Sequence, residues 1–189
     1  MKSCVGIDIV NDYEQDINDY LKKNDISNCR FQCVDIEKDI SPLRQQFDRI
    51  TSFEVIEHLH DENSVSIYRE LLKDDGLMAI SVPNKWWIFE THGAKLPLLP
   101  WNRIPFFSWL PRFLHERWAN ARIYTKGRIT RLLERNGFKV LHSSYITAPM
   151  DVLKEGKLKR FIVKHFFKND TTKLPFKSTA ILLIAGKRK

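Results

Sequence analysis

The side chains best suited to chemistry stand close together at 54–58. Glu54, Glu57 and His58 directly follow a β-rich run at 47–53. Carboxylates and imidazoles move protons or hold divalent cations, so this cluster indicates acid–base or metal chemistry. His58 is our candidate general base, although it could instead begin the next helix and bond to the backbone. Three further histidines are weaker candidates that the sequence does not rank: His60, His92 and His115.

These residues belong to a strand–helix–strand pattern at 47–84. The pattern predicts strands at 47–53 and 77–82, joined by a helix that reaches Lys73 and a turn at 74–76. In open α/β sheets, ligands bind at the carboxyl ends of parallel strands. We therefore expect 54–58 and Asn84 to lie where chemistry is done.

The rest of the chain extends the same alternation. Strands are predicted at 4–9 and 30–35, ending near Asp8 and Asp35, with a helix between them. A second helix is predicted after a Thr125 cap, followed by strands at 138–145 and 179–185. Alternation of this kind predicts an α/β fold, a parallel sheet with helices on both faces.

Two segments stand apart from this pattern. Residues 85–123 hold all five tryptophans, and four prolines there exclude a long helix. We expect this segment to be a lid over the site, which either packs on the sheet edge alone or also lines an apolar substrate pocket. Residues 154–177 are basic with interleaved phenylalanines, a pattern that favours an amphipathic helix.

Composition indicates a protein without a membrane span. The 189 residues are 43% hydrophobic, and we expect a single domain over 1–189. No apolar run approaches the roughly 20 residues that a bilayer requires. The N-terminus has no signal-peptide pattern, and the three cysteines have no metal-ligand spacing, so a cytoplasmic location is expected.

The charge is unevenly distributed along the chain. Residues 1–75 carry 17 acids and 9 bases, whereas residues 76–189 carry 22 bases and 6 acids. A basic half of this kind is typical of a surface that meets phosphates or anionic lipid, but it can also be a solvated face.

Several short motifs together carry a family resemblance. They are VGID at 5–8, VDI at 34–36, FEVIEHL at 53–59, LKDDGL at 72–77, VPN at 82–84, YTK at 124–126 and LLERNGF at 132–138. In this order and spacing the chain resembles class I S-adenosylmethionine-dependent methyltransferases of the type 11 kind. The resemblance implies a Rossmann-like methyltransferase sheet and S-adenosylmethionine as cofactor.

The resemblance also implies roles for particular residues. Asp8, with neighbouring Ile9, would receive the ribose hydroxyls. Asp35 would accept from the adenine amino group, with the backbone N–H of Ile36 facing a ring nitrogen. Phe53 and Glu54 would form the wall near the methionine end. Asp8 and Asp35 could instead be strand-end acids that cap the following turns.

The chain departs from that family at its beginning. The family's glycine-rich loop precedes the ribose acid by about 20 residues, but only seven residues precede Asp8. The first strand, which would join two blocks of the sheet, is also missing. We expect a truncated form of a methyltransferase, and the alternative is a non-catalytic remnant that serves as a binding module.

The predicted function is methyl transfer from S-adenosylmethionine to a small-molecule or lipid-linked acceptor. Glu54, Glu57 and His58 also resemble the metal cluster of small-RNA 2′-O-methyltransferases, and similar residues occur in quinone O-methyltransferases. We rank RNA methylation lower and assign no metal ligand. An anionic membrane surface is a candidate partner, with nucleic acid ranked below it, and the oligomeric state is not predicted.

Overall fold

The computed structural model describes residues 2–43, 47–95 and 105–188. The chain forms two compact units, Met1–Arg44 and Gln45–Lys189. The expectation of one domain over 1–189 stays a prediction. Within the described residues, no helix is both long and apolar enough to cross a bilayer.

The first unit is a β–α–β unit. Strands β1 (Cys4–Asp8) and β2 (Cys29–Cys33) are parallel, and helix α1 (Glu14–Lys23) connects them. Acids occupy the first turn of α1 and lysines its last turn, which complements the helix dipole. Asp8 lies opposite Cys33 in the ladder, so both strands end at the same edge.

The second unit is built on a five-stranded mixed sheet. Its strands are β3 (Phe47–Phe53), β4 (Leu72–Pro83), β5 (Phe138–Thr147), β6 (Thr171–Thr172) and β7 (Ser178–Lys187). Their order is β3-β4-β7-β5-β6, and among the described strands of this unit only β3 and β4 pair in parallel. The prediction of a parallel sheet is therefore wrong for β5, β6 and β7, which pair antiparallel. The described residues between these strands form the helices α2 (Ile67–Leu71), α3 (Arg112–Trp118), α4 (Lys126–Arg135) and α5 (Lys157–Phe166).

The core of this unit lies between the central strands and α4. Ile80 and Val82 of β4 and Ile181 and Leu183 of β7 are fully buried, as is Leu133 of α4. Thr125 caps α4 as predicted, since its Oγ1 accepts the N–H of Arg128 at 3.2 Å. Gly137 ends the helix with a φ of 80°, a conformation that glycine adopts without steric cost.

The connection into β4 differs from the prediction. Helix α2 ends at Leu71, and β4 begins at Leu72 and includes the expected turn at 74–76. Leu72 is fully buried and pairs with Phe47, but the ladder resumes with Leu77 opposite Arg49. Burial of Leu72 fixes the start of β4. The residues between Leu72 and Leu77 therefore form an irregularity in the strand. Gly76 allows this, since a Cβ there would lie 2.6 Å from Leu72 Cγ.

The described part of residues 85–123, the aromatic segment, contains little regular structure, as its prolines predict. Its described part holds a 3₁₀ turn at Phe107–Trp109 and the seven-residue α3. Trp87 is buried against this unit, while Trp86 and Trp109 are partly exposed. Residues 96–104, which include Trp101 and two of the prolines, lie outside the described part.

Candidate active site

In the first unit, two acids end the parallel strands. Asp8 is exposed, its Oδ1 accepts the N–H of Val10 at 2.9 Å, and its backbone oxygen accepts the N–H of Val34. Ile9 beside it is also exposed, whereas Asp35 and Ile36 are half-buried. The structure therefore brings all four predicted cofactor residues of this unit to one edge of its sheet.

Both acids also stabilise the turns that follow them. Asp35 accepts the N–H of Glu37 at 3.1 Å and pairs with Lys38 Nζ at 2.9 Å. The hydrogen bond from Lys38 lowers the pKa of Asp35. A carboxylate offers about four acceptor positions. Asp8, which accepts one bond through Oδ1, therefore fits a ligand hydroxyl better than Asp35, whose two oxygens are both engaged.

A cleft of about 360 Å³ lies beside Asp8 within this unit. Its lining is largely aromatic and apolar: Tyr13, Ile17, Tyr20 and Phe31, with Asp8 and Asp16 as the acids. A mostly apolar lining with few polar groups is the usual character of small-molecule sites. The chemistry of this edge fits a ligand that combines hydroxyl donors with a flat apolar ring, as a nucleoside does.

In the second unit, β3 ends in a strained turn at Glu54. Glu54 has a φ of 55°, a left-handed conformation that costs a non-glycine residue about 1–3 kcal/mol. Ser81 of β4 offsets this cost, because its backbone oxygen accepts the Glu54 N–H at 3.1 Å and its Oγ donates to Glu54 Oε1 at 2.7 Å. The turn therefore fixes the Glu54 carboxylate at the carboxyl ends of β3 and β4, where Phe53 is exposed beside it.

Glu57 lies in the 3₁₀ turn that follows, Ile56–His58, and its side chain is buried. Neither of its carboxylate oxygens has a hydrogen-bond partner among the described residues. Burial, aided by the nearby charge of Glu54, raises the pKa of the Glu57 carboxyl to about 8. A buried carboxylate without donors is costly, and its presence indicates a function beyond packing.

Two histidines face this carboxylate. His58 follows Glu57 directly, and the ring of His92 lies 5.4 Å from the ring of His58 in an edge-to-face arrangement. His92 Nε2 is 3.5 Å from Glu57 Oε1 and 3.8 Å from Glu54 Oε2. Partial burial, together with His92, lowers the pKa of His58, so its imidazole is suited to accept a proton near neutral pH.

His92 belongs to the aromatic segment, and a buried pair holds it in place. Its N–H donates to Glu90 Oε1 at 3.0 Å, and Asn120 donates to its carbonyl oxygen. Glu90 Oε2 lies 2.8 Å from Nε2 of His115, and both side chains are buried. Because Glu90 contacts both, the fold of the aromatic segment sets the position of His92.

Arg122 supports the turn from the other side. Its N–H donates to the carbonyl oxygen of Glu57, and its guanidinium donates to those of Leu59 and His60. Asn84 is also structural, since its amide donates to the carbonyl oxygens of Pro175 and Ser178. These bonds attach the carboxyl end of β4 to the segment before β7. The side-chain amide of Asn84 therefore stabilises the fold.

The part of the chain that the structure describes holds one group able to bind a metal ion. Glu57, His58 and His92 each offer a ligand atom, and these atoms lie within 4.8 Å of one another. The sequence placed Glu54, Glu57 and His58 together but left His92 as a weak base candidate. It missed Glu90, although a lone acid among tryptophans and phenylalanines was a signal of a buried polar group.

Comparisons with known proteins address the family. A family model described as a methyltransferase domain matches residues 1–143. A curated relative, a ubiquinone biosynthesis O-methyltransferase of Nitrobacter winogradskyi, is 29% identical over 118 residues, which are 60% of this chain and 40% of that protein. The chain thus spans less than half the length of this relative.

Solved structures show the same fold. An S-adenosylmethionine-dependent methyltransferase of Mesorhizobium loti has a TM-score of 0.60 at 14% identity, covering 97% of this chain and 80% of that one. A Burkholderia thailandensis 1,6-didemethyltoxoflavin-N1-methyltransferase with bound S-adenosylhomocysteine has a TM-score of 0.55 at 14% identity, covering 98% and 61%.

These comparisons confirm the predicted fold class, a Rossmann-like α/β methyltransferase fold. The absence of the first strand, the roles of the site residues and the truncation stay predictions. The family match covers more than half of the chain. The protein is therefore a member of the methyltransferase domain family.

Proposed function

We propose that this protein transfers a methyl group from S-adenosylmethionine to a hydroxyl group of a small-molecule or lipid-linked acceptor. The observation that carries the proposal is the turn at 54–58, where an exposed imidazole with a lowered pKa adjoins two carboxylates at the carboxyl ends of β3 and β4. The O-methyltransferase name of the Nitrobacter relative supports a hydroxyl acceptor.

The proposed cofactor residues are those that the family resemblance implies, and the chemistry of each unit's residues is compatible with these roles. Asp8 would receive the ribose hydroxyls, with Ile9 beside it, while Asp35 and Ile36 would face the adenine. Phe53 and Glu54 would form the wall at the methionine end. S-adenosylmethionine supplies the methyl group as an electrophile, and the chain's own residues align the acceptor oxygen in line with it.

His58 is the proposed general base. It would take the proton from the acceptor hydroxyl as the oxygen attacks, which raises the nucleophilicity of that oxygen. Glu54 and His92 are positioned to hold His58 and the acceptor in place. The aromatic segment brings His92 to this turn, and the buried side chains of Trp87, Glu90 and His115 anchor that segment.

A second version of this chemistry uses a divalent cation in place of a free base. It is favoured by the unpartnered carboxylate of Glu57, which faces His92 and adjoins His58. A mixed carboxylate and imidazole set suits Mn²⁺ better than Mg²⁺, which prefers oxygen ligands. These residues would hold the cation, which would stabilise the negative charge on the acceptor oxygen.

Transfer of a labelled methyl group tests the proposal. The full chain is incubated with tritiated S-adenosylmethionine and either a water-soluble catechol or a long-chain phenol in micelles. We expect a labelled ether product, and His58→Ala should lower kcat by about 10²–10⁴-fold. His142→Ala is the matched control, because His142 is exposed on β5 and should leave the rate unchanged.

Each outcome separates one part of the proposal from another. Cofactor binding measured by calorimetry without transfer to either hydroxyl would contradict the acceptor class. No heat of binding for S-adenosylmethionine would favour the alternative of a non-catalytic remnant. Equal rates for the His58→Ala and His142→Ala variants would show that His58 is not the general base.

A further inference from the structure

Helix α5 lies on the second unit without burying any of its residues. Its inner side is formed by Lys159, Ile162 and Val163, which are half-buried. A ten-residue helix held so lightly contributes little to the core. Its outer side therefore needs an explanation other than packing within the chain.

The outer side divides into two adjacent stripes. At 100° per residue, Leu158, Phe161 and His165 fall within an arc of about 60°, and Lys157, Arg160 and Lys164 fall within a neighbouring arc of similar width. All six are exposed, with Leu158 at 67% and Phe161 at 57%. An apolar stripe beside a basic stripe is the pattern of a helix that lies at a membrane interface.

The end of α5 and the segment that follows it add further exposed apolar side chains. Phe166 is exposed at the end of the helix, and Leu174 and Phe176 are exposed in the segment before β7. Lys177 joins the two, because its Nζ donates to the carbonyl oxygen of Phe166 and lies 5.7 Å from the centre of that ring. The exposed aromatic side chains are thus part of an ordered arrangement.

The charge of this region, together with its exposed apolar side chains, favours one kind of partner. Residues 154–177 carry eight lysines and arginines but two acids, Glu155 and Asp170. A positive surface alone would suit RNA as well as lipid. Aliphatic and aromatic side chains exposed between the bases favour a bilayer, where they leave water while the bases stay among the anionic headgroups.

We propose that α5 and the segment at 174–177 form a docking surface for the anionic face of a lipid bilayer. The docking extends the proposed function in one respect, since it would bring the enzyme to a lipid-linked acceptor. It requires neither cofactor nor methyl transfer, so it can be tested independently of them.

Flotation of the full chain with lipid vesicles tests this docking surface, in the absence of S-adenosylmethionine. We expect binding to phosphatidylcholine vesicles that contain about 30% phosphatidylglycerol, weak binding to pure phosphatidylcholine, and release at about 0.5 M salt. The double variant Leu158→Ser/Phe161→Ser should bind at least about tenfold more weakly. Lys157→Glu/Lys164→Glu should also bind more weakly and lose most of its salt dependence.

Matched controls lie on β5, away from α5 in the sequence. Leu141→Ser removes an exposed leucine, and Lys139→Glu reverses an exposed lysine. Both should bind vesicles as the unmodified chain does, and thermal unfolding should be unchanged in all four variants because every substituted side chain is exposed.

Three outcomes would overturn the proposal. The first is equal binding to neutral and anionic vesicles. The second is retention on polyuridylate RNA with no vesicle binding, which would identify a nucleic-acid surface. The third is α5 variants that bind as tightly as the β5 controls. Loss of docking with unchanged methylation of the soluble catechol would support a surface separate from the catalytic site.

Discussion

At the scale of single residues, the unpartnered carboxylate of Glu57 is the feature with the clearest consequence. A buried acid without a donor is destabilising unless it acquires a proton, a cation or a ligand. The nitrogens of His58 and His92 lie within 4.8 Å of it and of one another. This arrangement is a candidate site for a divalent cation, which would satisfy all three side chains.

The cation version makes a direct binding prediction. Mn²⁺ should bind the full chain at one site, observed as loss of the free-ion signal in electron paramagnetic resonance. Glu57→Gln should weaken this binding by at least about tenfold, because it removes the anionic ligand. Glu134→Gln on the exposed side of α4 is the control and should bind normally. Unchanged Mn²⁺ affinity in Glu57→Gln would show that the cluster holds no metal and leave His58 as a free base.

At the level of elements, the start of β4 sets the position of the turn at 54–58 in the second unit. Leu72 pairs with Phe47 and Leu77 pairs with Arg49, so the strand absorbs extra residues before its regular part. The regular part then runs in register to Ser81, which holds Glu54. The irregularity thus sets the register between β3 and β4, and this register places Ser81 beside Glu54.

This geometry predicts an asymmetry between two glycines. Gly76→Ala should lower the free energy of unfolding by about 1–3 kcal/mol, because its Cβ would lie 2.6 Å from Leu72 Cγ in a buried contact. Gly156→Ala should change it by less than about 0.5 kcal/mol, since no atom lies within 4 Å of that Cβ. Urea unfolding measures both, and equal effects would contradict the irregularity in β4.

At the scale of the whole molecule, the family assignment predicts that cofactor binding stabilises the fold. A ligand that binds the folded chain alone stabilises it by about 2.7 kcal/mol at a hundred times its Kd. S-adenosylhomocysteine should therefore raise the Tm in a thermal-shift measurement. Asp8→Ala should abolish most of this increase, because it removes the proposed acceptor for the ribose hydroxyls.

The matched control for that measurement is Asp12→Ala. Asp12 is an exposed acid four residues along the same unit, and its loss should leave the thermal shift intact. A shift that persists in Asp8→Ala would show that this acid only stabilises its own turn, through its bond to the Val10 N–H. No shift in either protein would favour the non-catalytic remnant.

Features that depend on local pattern could be predicted from the amino-acid sequence. The strands ending near Asp8 and at Phe53 and the Thr125 cap were predictable, because alternation and capping preferences act over a few residues. The ordered motifs also predicted the family, which the match over residues 1–143 confirms. The cluster of Glu54, Glu57 and His58 was visible because its members are neighbours in the chain.

The residues opposite that cluster are set by long-range packing. His92 reaches Glu57 from the aromatic segment because the Glu90–His115 pair, buried among aromatic side chains, fixes its position. The start of β4 was likewise decided by the burial of Leu72 against a distant strand. Contacts of this kind join residues far apart in sequence and depend on packing, so no local pattern could specify them.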